Sequence, residues 1–236
     1  MKTVIVDERI SGECERALLL RGFRVLKLPR DSRLGEAVCS HPDTLLFYHG
    51  GEMITTAEYC DDAVYFFSDL REECPEVKIT FTGDERSALY PFDCVMNALA
   101  VGNKIFAKTD TLSDSIKEFA RERGFELCNT KQGYPSCTVL AFGNSAITAD
   151  RGMARVLSDN GIEVTLIREG HILLDSCEYG FIGGASGVLG DKIYFFGDIE
   201  SHPDGDLICE SVRRAGFTPI SLSGEPLRDL GGMIFL

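Results

Sequence analysis

The feature of this sequence that most constrains its fold is a unit of two strands, a helix and a third strand, which recurs along the chain. The clearest copy covers residues 134–167. Its first strand is predicted at 138–142 and its second at 146–149, because both stretches are apolar and a Gly-Asn turn separates them. A helix at about 153–158 and a third strand at 162–167 complete the unit.

Each boundary in this copy has a physical cause. The carboxylate of Asp150 can cap the free N–H groups at the helix start. Asn160 and Gly161 can adopt the left-handed conformation that ends a helix. The third strand is indicated by apolar residues that alternate with polar ones: Ile162, Val164 and Leu166.

Four further copies follow the same plan. The first has its second strand at 2–7, a helix at about 11–21 and its third strand at 23–28, and a looser second copy runs from His41 to about Thr82. First strands are predicted at 44–48, 94–101, 138–142 and 181–187, and the turns after them carry glycines about 40 to 50 residues apart: Gly50, Gly102, Gly143 and Gly190. Such regular spacing favours repeated units packed around a common axis.

The first copy has no first strand at the N-terminus. The chain ends instead in a short apolar stretch, residues 229–236, with no helix after it. We predict that this stretch supplies the missing strand and closes a ring of five units, because closure removes exposed sheet edges. The predicted fold is a single α/β domain over residues 1–236, a five-bladed pseudo-symmetric α/β propeller.

Composition and charge restrict the partners of the protein. The net charge is −13 over 236 residues, so neither nucleic acid nor a membrane surface is expected as a partner. No apolar run is long enough for a transmembrane helix, and no secretory signal is recognised at the N-terminus. We therefore expect a cytoplasmic protein, and its oligomeric state is left open.

The nine cysteines do not form a metal-binding pattern. They are scattered, and no CxxC motif occurs, so a structural zinc site is not expected. Most should be buried as small hydrophobic residues in a reducing cytoplasm. The oxygen-rich stretch at 198–206 is interpreted as helix-start acids rather than a divalent-cation site. No metal or other cofactor is predicted.

Five strand-strand-helix-strand units in a pseudo-fivefold ring resemble the pentein fold. Three segments are also similar to the guanidino-group-modifying superfamily of amidinotransferases, arginine and agmatine deiminases and dimethylarginine dimethylaminohydrolases. Asp93-Cys94-Val95 resembles the guanidinium-binding segment, Gly170-His171 the segment with the catalytic histidine, and residues 221–232 the C-terminal segment with the nucleophilic cysteine. The resemblance implies that carboxylates hold a planar cation and that a thiolate attacks it.

The chain departs from this family pattern at three places. Asn97 stands where further acidic residues are expected after Asp93. Ile147 or Thr148 occupies the place of the arginine that often binds a substrate carboxylate. After Gly232 the chain continues as Met-Ile-Phe-Leu, without the expected cysteine. The hydrolase mechanism of the family therefore cannot be carried over whole.

A ligand site at the ring axis is still predicted. The catalytic residues, if the protein is active, are His171 and a displaced nucleophile on an axial first strand, for which Cys137 is preferred and Cys94 is the alternative. The predicted ligand-binding residues are Asp93, Asn97, Ser186 and Gly231.

Each of these residues also has a structural interpretation. Cys137 fits a buried cysteine on an apolar strand, Asp93 a turn-capping acid, and His171 a loop histidine. His41 occupies the place that tyrosines hold in the third and fourth copies, so a packing role is expected. The glycines at 183–187 are expected to let a ligand or a neighbouring strand come close.

Two functions follow. The first is a divergent amidinotransferase- or deiminase-like protein that binds a small guanidino or amino-acid-like ligand at the ring axis; if active, it would be a hydrolase or transferase acting on C–N bonds. The second is a non-enzymatic scaffold that acts through protein-protein interaction. Convergence of the predicted residues in one pocket favours the first function, and their scatter favours the second.

Overall fold

The computed structural model describes residues 2–236 and arranges that range in five three-stranded sheets. The strands are β1 Lys2–Asp7, β2 Phe23–Leu28, β3 Phe47–His49, β4 Glu52–Thr56, β5 Lys78–Thr82, β6 Leu99–Val101, β7 Lys104–Ala107, β8 Glu126–Asn129, β9 Val139–Phe142, β10 Ser145–Thr148, β11 Glu163–Leu166, β12 Ser186–Leu189, β13 Lys192–Phe195, β14 Thr218–Ser221 and β15 Ile234–Phe235. The helices are α1 Gly12–Leu20, α2 Pro42–Leu45, α3 Ala57–Asp62, α4 Val64–Glu73, α5 Asp114–Arg123, α6 Pro135–Thr138, α7 Arg151–Asp159 and α8 Gly205–Arg214.

All five sheets share one topology. The central strand pairs antiparallel with its neighbour on one side and parallel with its neighbour on the other, where a helical crossover joins the two strands. The strand orders are β15-β1-β2, β3-β4-β5, β6-β7-β8, β9-β10-β11 and β12-β13-β14. The predicted repeat of two strands, a helix and a third strand is confirmed.

The C-terminal strand completes the first sheet. Val4 pairs with Phe235 and Ile5 with Ile234 in antiparallel register, as first strands pair with second strands in the other units. The strand is shorter than predicted because the residues before it bond to the fifth unit instead: the backbone N–H groups of Leu230 and Gly232 both donate to the carbonyl oxygen of Gly184.

Two-residue hairpins join the first and second strands of four units. Val101 pairs with Lys104, so Gly102 and Asn103 form the turn. Gly102 occupies the first position of the turn with a φ of +58°. A positive φ at this position is typical of a type II′ turn and favours glycine. The turn glycines predicted from the sequence lie at the equivalent places, with φ between +56° and +59° at Gly50, Gly143 and Gly190.

The helix boundaries follow the predicted signals in the fourth unit. The Asp150 carboxylate accepts a 2.8 Å hydrogen bond from the backbone N–H of Met153, which caps α7. Gly161 follows the end of this helix with a φ of +82°. In the second unit, α4 ends at Glu73, and the backbone N–H of the next residue, Cys74, donates to the Leu70 carbonyl oxygen.

The first strands begin later than predicted, and this is the main correction to the predicted secondary structure. They start at residues 47, 99, 139 and 186, not at 44, 94, 138 and 181. In the second and fourth units the preceding residues form the short helices α2 and α6, each starting at a proline. Proline suits the first helical position, and a buried helical turn is as apolar as a strand, so the two could not be told apart in sequence. Cys137 therefore lies on α6 and Cys94 in a loop, not on strands.

Hydrophobic clusters link neighbouring units. One cluster packs Phe47 of the second unit against Ile105 of the third, and another packs Val4 of the first unit against Tyr194 of the fifth. Burial of apolar surface contributes about 25 cal/mol per Å², so these contacts between sheets are a main source of stability.

Among residues 2–236, no helix combines the length and apolar character that a membrane crossing requires. In the same range the nine cysteines are free thiols, and six of them are buried. The prediction that most cysteines act as buried hydrophobic residues is confirmed.

Candidate ligand-binding cavity

A cavity of about 400 Å³ lies where segments from different units meet. Its walls are largely apolar and aromatic, with side chains such as Phe181. The ionisable groups that reach it include His41, Asp93, Cys137 and Asp229. These residues are far apart in the sequence, so the fold brings them together.

The turns before the first strands deliver these side chains. His41 directly precedes α2, and Cys137 lies within α6. Asn97 joins the two turns: its Nδ2 donates to the carbonyl oxygen of Asp43 at 3.0 Å and to the Cys137 Sγ at 3.4 Å, while its Oδ1 accepts from the Ser136 N–H at 2.8 Å. The side chain is only 1% exposed, so these bonds satisfy an amide that is out of contact with solvent.

Glycines let the C-terminal segment come close to the cavity residues. A Cβ at Gly231 would lie 2.3 Å from the Cβ of His41, and the φ of Gly231 is +68°. A Cβ at Gly184 would lie 1.9 Å from Oδ1 of Asp229, and one at Gly183 would meet the Ser136 carbonyl oxygen at 2.2 Å. The close approach predicted for the glycine-rich stretch is made by neighbouring parts of the chain.

His41 is buried without a hydrogen bond. Its side chain is 1% exposed, its Nε2 lies 3.8 Å from Asp7 Oδ2 and its Nδ1 lies 3.9 Å from Asp229 Oδ1. Neither ring nitrogen has a hydrogen-bond partner among residues 2–236. Burial lowers the pKa of His41 to about 4, against the opposing effect of the Asp7 carboxylate, so the ring is neutral at pH 7.

Three buried carboxyl groups surround this region. Burial raises the pKa of Asp43 to about 6 and that of Asp229 to about 7, and it also raises the pKa of Asp93. Asp229 accepts backbone bonds from Phe181 at 2.8 Å and Gly231 at 3.0 Å. By contrast, Oδ2 of Asp43 and Oδ1 of Asp93 have no partner within the described part of the chain. Unpaired buried acceptors are costly, so these atoms favour a donor or a cation from a ligand.

Cys137 is not an activated thiol in this arrangement. Burial raises its pKa well above the ordinary value, and the nearby carboxyl groups of Asp43 and Asp229 raise it further. The nucleophilic form of cysteine is the thiolate, and these surroundings disfavour it. A cation bound between the carboxyl groups would reverse the electrostatic part of this effect.

The structure brings only part of the predicted site together. Asp93 and Cys137 line the 400 Å³ cavity, and Asn97 contacts Cys137. Ser186 and Gly231 line a smaller cavity of about 140 Å³, together with Asp43.

His171 lies elsewhere. It lines an open cavity of about 740 Å³ with Asp150, Arg168 and Asp204, and its ring centroid is 5.5 Å from that of His202. The structure therefore does not bring His171 to the cavity that contains Cys137; the histidine found there is His41.

Sequence reasoning did not select His41 or Asp43 as site residues. His41 was expected to pack like the tyrosines at the same place in other copies, and Tyr134 does contact the site, since its hydroxyl donates to Asp93. The available signal was an acid two positions after a histidine, shortly before the apolar residues Leu45 to Phe47. Burial of that acid at 9% exposure is a tertiary property, which the local pattern does not reveal.

Most of the chain is similar to one family model and to solved structures. The model of a family of unknown function, DUF6873, matches residues 5–234. No curated protein matches the sequence.

Solved structures of pentein-superfamily enzymes resemble the chain over most of its length. DDAH from Pseudomonas aeruginosa, a mutant complexed with citrulline, is 11% identical with a TM-score of 0.58, covering 94% of this chain and 92% of that one. Agmatine deiminase from C. jejuni is 6% identical with a TM-score of 0.57, covering 94% and 87%. Inosamine-phosphate amidinotransferase from Streptomyces griseus is 12% identical with a TM-score of 0.54, covering 98% and 91%. The similarity shows that the chain has the pentein fold.

Proposed function

The chain belongs to the DUF6873 family, whose function is unknown, and we propose that it binds a small guanidino or amino-acid-like ligand through the cationic group of that ligand. In this proposal residues 1–236 form one pentein domain, whose five units surround the 400 Å³ cavity as a ring closed by β15. The packing of the first unit against the fifth supports such a ring.

The observation that carries the proposal is a buried excess of carboxyl groups. Asp93 and Asp229 reach the cavity, and neither lysine nor arginine is among its lining residues in the described chain. Asp93 keeps one oxygen free of hydrogen bonds, and it can accept a bond from a planar cation. Citrulline bound to the Pseudomonas aeruginosa enzyme is consistent with a ligand of this size in this fold.

Within this proposal, the predicted residues have different parts. Asp93 binds the cation, Asn97 keeps the Asp43 and Cys137 turns together, and Gly231 holds the C-terminal segment against His41. Ser186 faces the smaller cavity, where it would contact only the end of a ligand that reaches through. Two thiols line the cavity, the buried Cys137 and the exposed Cys177. We assign any covalent chemistry to Cys137, which has His41 beside it and not His171.

A thermal-shift screen with arginine, agmatine, methylated arginines and citrulline tests the binding proposal. A ligand at about 100 times its dissociation constant stabilises a protein by about 2.7 kcal/mol, which raises the melting temperature of a domain of this size by several degrees. Product assays for urea, ammonia or released amine on each ligand that binds decide whether it is also turned over. If none of these compounds shifts the melting temperature, the guanidino proposal is wrong.

Substitution of Asp93 gives a sharper test once a ligand is found. We expect Asp93→Asn to weaken binding by at least about tenfold, since a charged hydrogen bond of about 1.5–3 kcal/mol is lost, while the fold is retained. Asp110→Asn is the matched control, because Asp110 is an exposed acid bonded to Lys108 away from the cavity. Isothermal titration of both variants gives the affinities, and equal affinity in the two would contradict the assignment of Asp93.

A second candidate function is a protein-interaction scaffold, and one surface feature supports it. Leu89 is 74% exposed, Tyr90 53% and Phe92 56%, so three of the four residues 89–92 expose a large apolar side chain on the same loop. Clustered apolar exposure is typical of interaction sites. Sedimentation of the unchanged protein and of Phe92→Ser over a range of concentrations tests self-association through this loop. If the unchanged protein does not associate, or if Phe92→Ser associates equally well, self-association through this loop is rejected.

A further inference from the structure

We propose that His41, Asp43 and Cys137 form a binding site for one divalent transition-metal ion, with Zn²⁺ the best chemical fit. One donor atom from each of the three residues lies within 4.8 Å of the other two. As whole residues, His41, Asp43 and Cys137 are 0%, 9% and 3% exposed, so the set is enclosed. This proposal goes beyond ligand binding at Asp93 and does not depend on it.

The backbone holds the two contributing turns at a fixed separation. His41 and Asp43 belong to the turn at α2, while Cys137 belongs to α6. Asn97 bonds to the Asp43 carbonyl oxygen and to the Cys137 sulfur, and the Gly231 carbonyl oxygen accepts the Asp43 N–H at 3.0 Å. Metal–ligand bonds of about 2.0–2.3 Å require the donor atoms to move together by roughly an ångström, which side-chain rotation supplies without moving these turns.

The polar atoms without hydrogen-bond partners favour a bound metal cation. Both ring nitrogens of His41 and Oδ2 of Asp43 have no hydrogen-bond partner among residues 2–236, although buried polar atoms almost always have one. A metal ion would satisfy one nitrogen of His41, and the other could then donate to a carboxylate. Asp7 lies 3.8 Å from Nε2 and Asp229 lies 3.9 Å from Nδ1. A shift of under an ångström would let one of these carboxylates accept the N–H and orient the ring, as in known metal sites.

The donor types select the ion. A thiolate, an imidazole and a carboxylate suit Zn²⁺ or Co²⁺, whereas Mg²⁺ and Ca²⁺ prefer oxygen alone. On binding, the ion replaces the thiol proton of Cys137, which leaves to solvent. The thiolate and the Asp43 carboxylate together then balance the two positive charges. Because His41 and Cys137 also line the 400 Å³ cavity, a fourth coordination position would face it, as in open zinc sites.

Titration of the metal-stripped full-length protein with Co²⁺ tests the site. We expect one equivalent to bind with a thiolate-to-cobalt charge-transfer band, and Zn²⁺ to displace it. Cys137→Ser should remove the band. His41→Gln and Asp43→Asn should each weaken cobalt binding by about 100-fold or more, which exceeds the usual effect of removing a residue that only hydrogen-bonds to a metal ligand. Each variant is checked for folding by circular dichroism, and Asn replaces Gln at position 41 if that variant does not fold.

Two matched variants control for non-specific cysteine binding. Cys94→Ser replaces another buried thiol, 2% exposed and adjacent in sequence to Asp93, and should leave the band unchanged. All measurements use a Cys177→Ser background because that thiol is exposed. The site is overturned if the folded protein binds no Co²⁺, or if Cys137→Ser keeps the band.

The outcome is independent of the proposed ligand function. Asp93→Asn should bind Co²⁺ normally, and the guanidino panel can be tested with and without a chelator. Loss of cobalt binding with retained ligand binding would reject only the metal site. Cobalt binding without a response to the panel would reject only the guanidino ligand.

Discussion

At the scale of single residues, Asn97 fixes the geometry of the cavity. Its amide bonds to segments of the second and fourth units, at Asp43, Ser136 and Cys137, although Asn97 itself belongs to the third. One buried side chain therefore sets the distance between the Asp43 and Cys137 turns. An acid, which the family resemblance led us to expect here, would lack the N–H donors that this role needs.

Asn97→Ala should lower the free energy of unfolding by about 2–4 kcal/mol, because it leaves a buried carbonyl oxygen and a buried N–H without partners. Urea denaturation of the variant gives this value. Asn103→Ala in an exposed hairpin turn is the control, with an expected change within about 0.5 kcal/mol. A loss at position 97 no larger than that of the control would show that the amide does not tie the units together.

A second prediction at this scale concerns acid stability at Asp204. Hydrogen bonds from the side chain and backbone of Arg168 lower the pKa of Asp204 to about 2. A carboxyl group whose pKa is lower in the folded state stabilises the fold above its unfolded value of about 3.9, and this stabilisation is lost as the pH falls towards 2. It is about 1 kcal/mol or less, since Arg168 is 59% exposed.

The test compares Asp204→Asn with the unchanged protein by chemical denaturation across the acid range. The variant should be less stable at pH 7, and the difference should shrink between pH 4 and about pH 2. Asp206→Asn, at an exposed position in the first turn of α8, which begins directly after Asp204, is the control for loss of a nearby acid. A difference between Asp204→Asn and the unchanged protein that stays constant with pH would contradict the role of the ion pair.

At the scale of elements, a buried arginine anchors the segment that leads to Asp93. Arg86 pairs with Asp31 at 3.0 Å, donates to Thr56 at 2.8 Å and lies over the ring of Tyr59 at 5.1 Å. The residues between β5 and β6 contain little regular structure, so this contact holds the segment against the second unit. The position of Asp93 at the cavity depends on that attachment.

Arg86→Met should cost about 1.5–3 kcal/mol, because the buried Asp31 carboxylate loses one charged partner and keeps only its 2.7 Å pair with Arg33. We expect ligand affinity to fall as well, since the Asp93 segment loses its anchor. Arg71→Met is the comparison: this guanidinium lies 5.4 Å from the Phe81 ring at the surface, and its loss should cost about 0.5–1 kcal/mol. Denaturation curves that coincide for the two variants would reject the anchoring role.

The elements that could be predicted are those fixed by local signals. β2 lies at the predicted residues 23–28, and Asp150 caps α7 as expected, since alternation and capping are short-range. The first strands were predicted too early because α2 and α6 are buried, proline-started turns with strand-like apolar content. The candidate site was predicted only in part, since Asp93 and Cys137 came from family resemblance and axial placement. His41 joins them through contacts between units, and such contacts leave no periodic pattern in the sequence.

At the scale of the whole molecule, the two ends of the chain meet in one sheet. Phe235 of β15 packs against Phe23 of the first unit and Tyr194 of the fifth, with ring centroids 5.3 Å apart in both pairs. Strand pairing in each sheet stays within one unit, so this aromatic group adds a contact between the first and last units. The C-terminal residues are therefore part of the core between units.

Phe235→Ala should lower the free energy of unfolding by about 2–4 kcal/mol, since it removes a half-buried ring from that core. The measurement is the unfolding midpoint in urea at constant m-value. Phe92→Ala, which removes an exposed ring, should leave the midpoint nearly unchanged. A small effect at both positions would mean that β15 contributes little to the association of the first and fifth units.

The residues that line the 400 Å³ cavity lie in the segments between the β-strands. His41, Asp93, Cys137 and Asp229 each come from a different connecting stretch, and β1–β15 include none of them. A substitution at one of these positions changes the chemistry offered to a ligand and leaves strand pairing intact. Over evolutionary time a lineage can thus gain a new substrate, or lose catalysis, through a few point mutations while it inherits the same backbone.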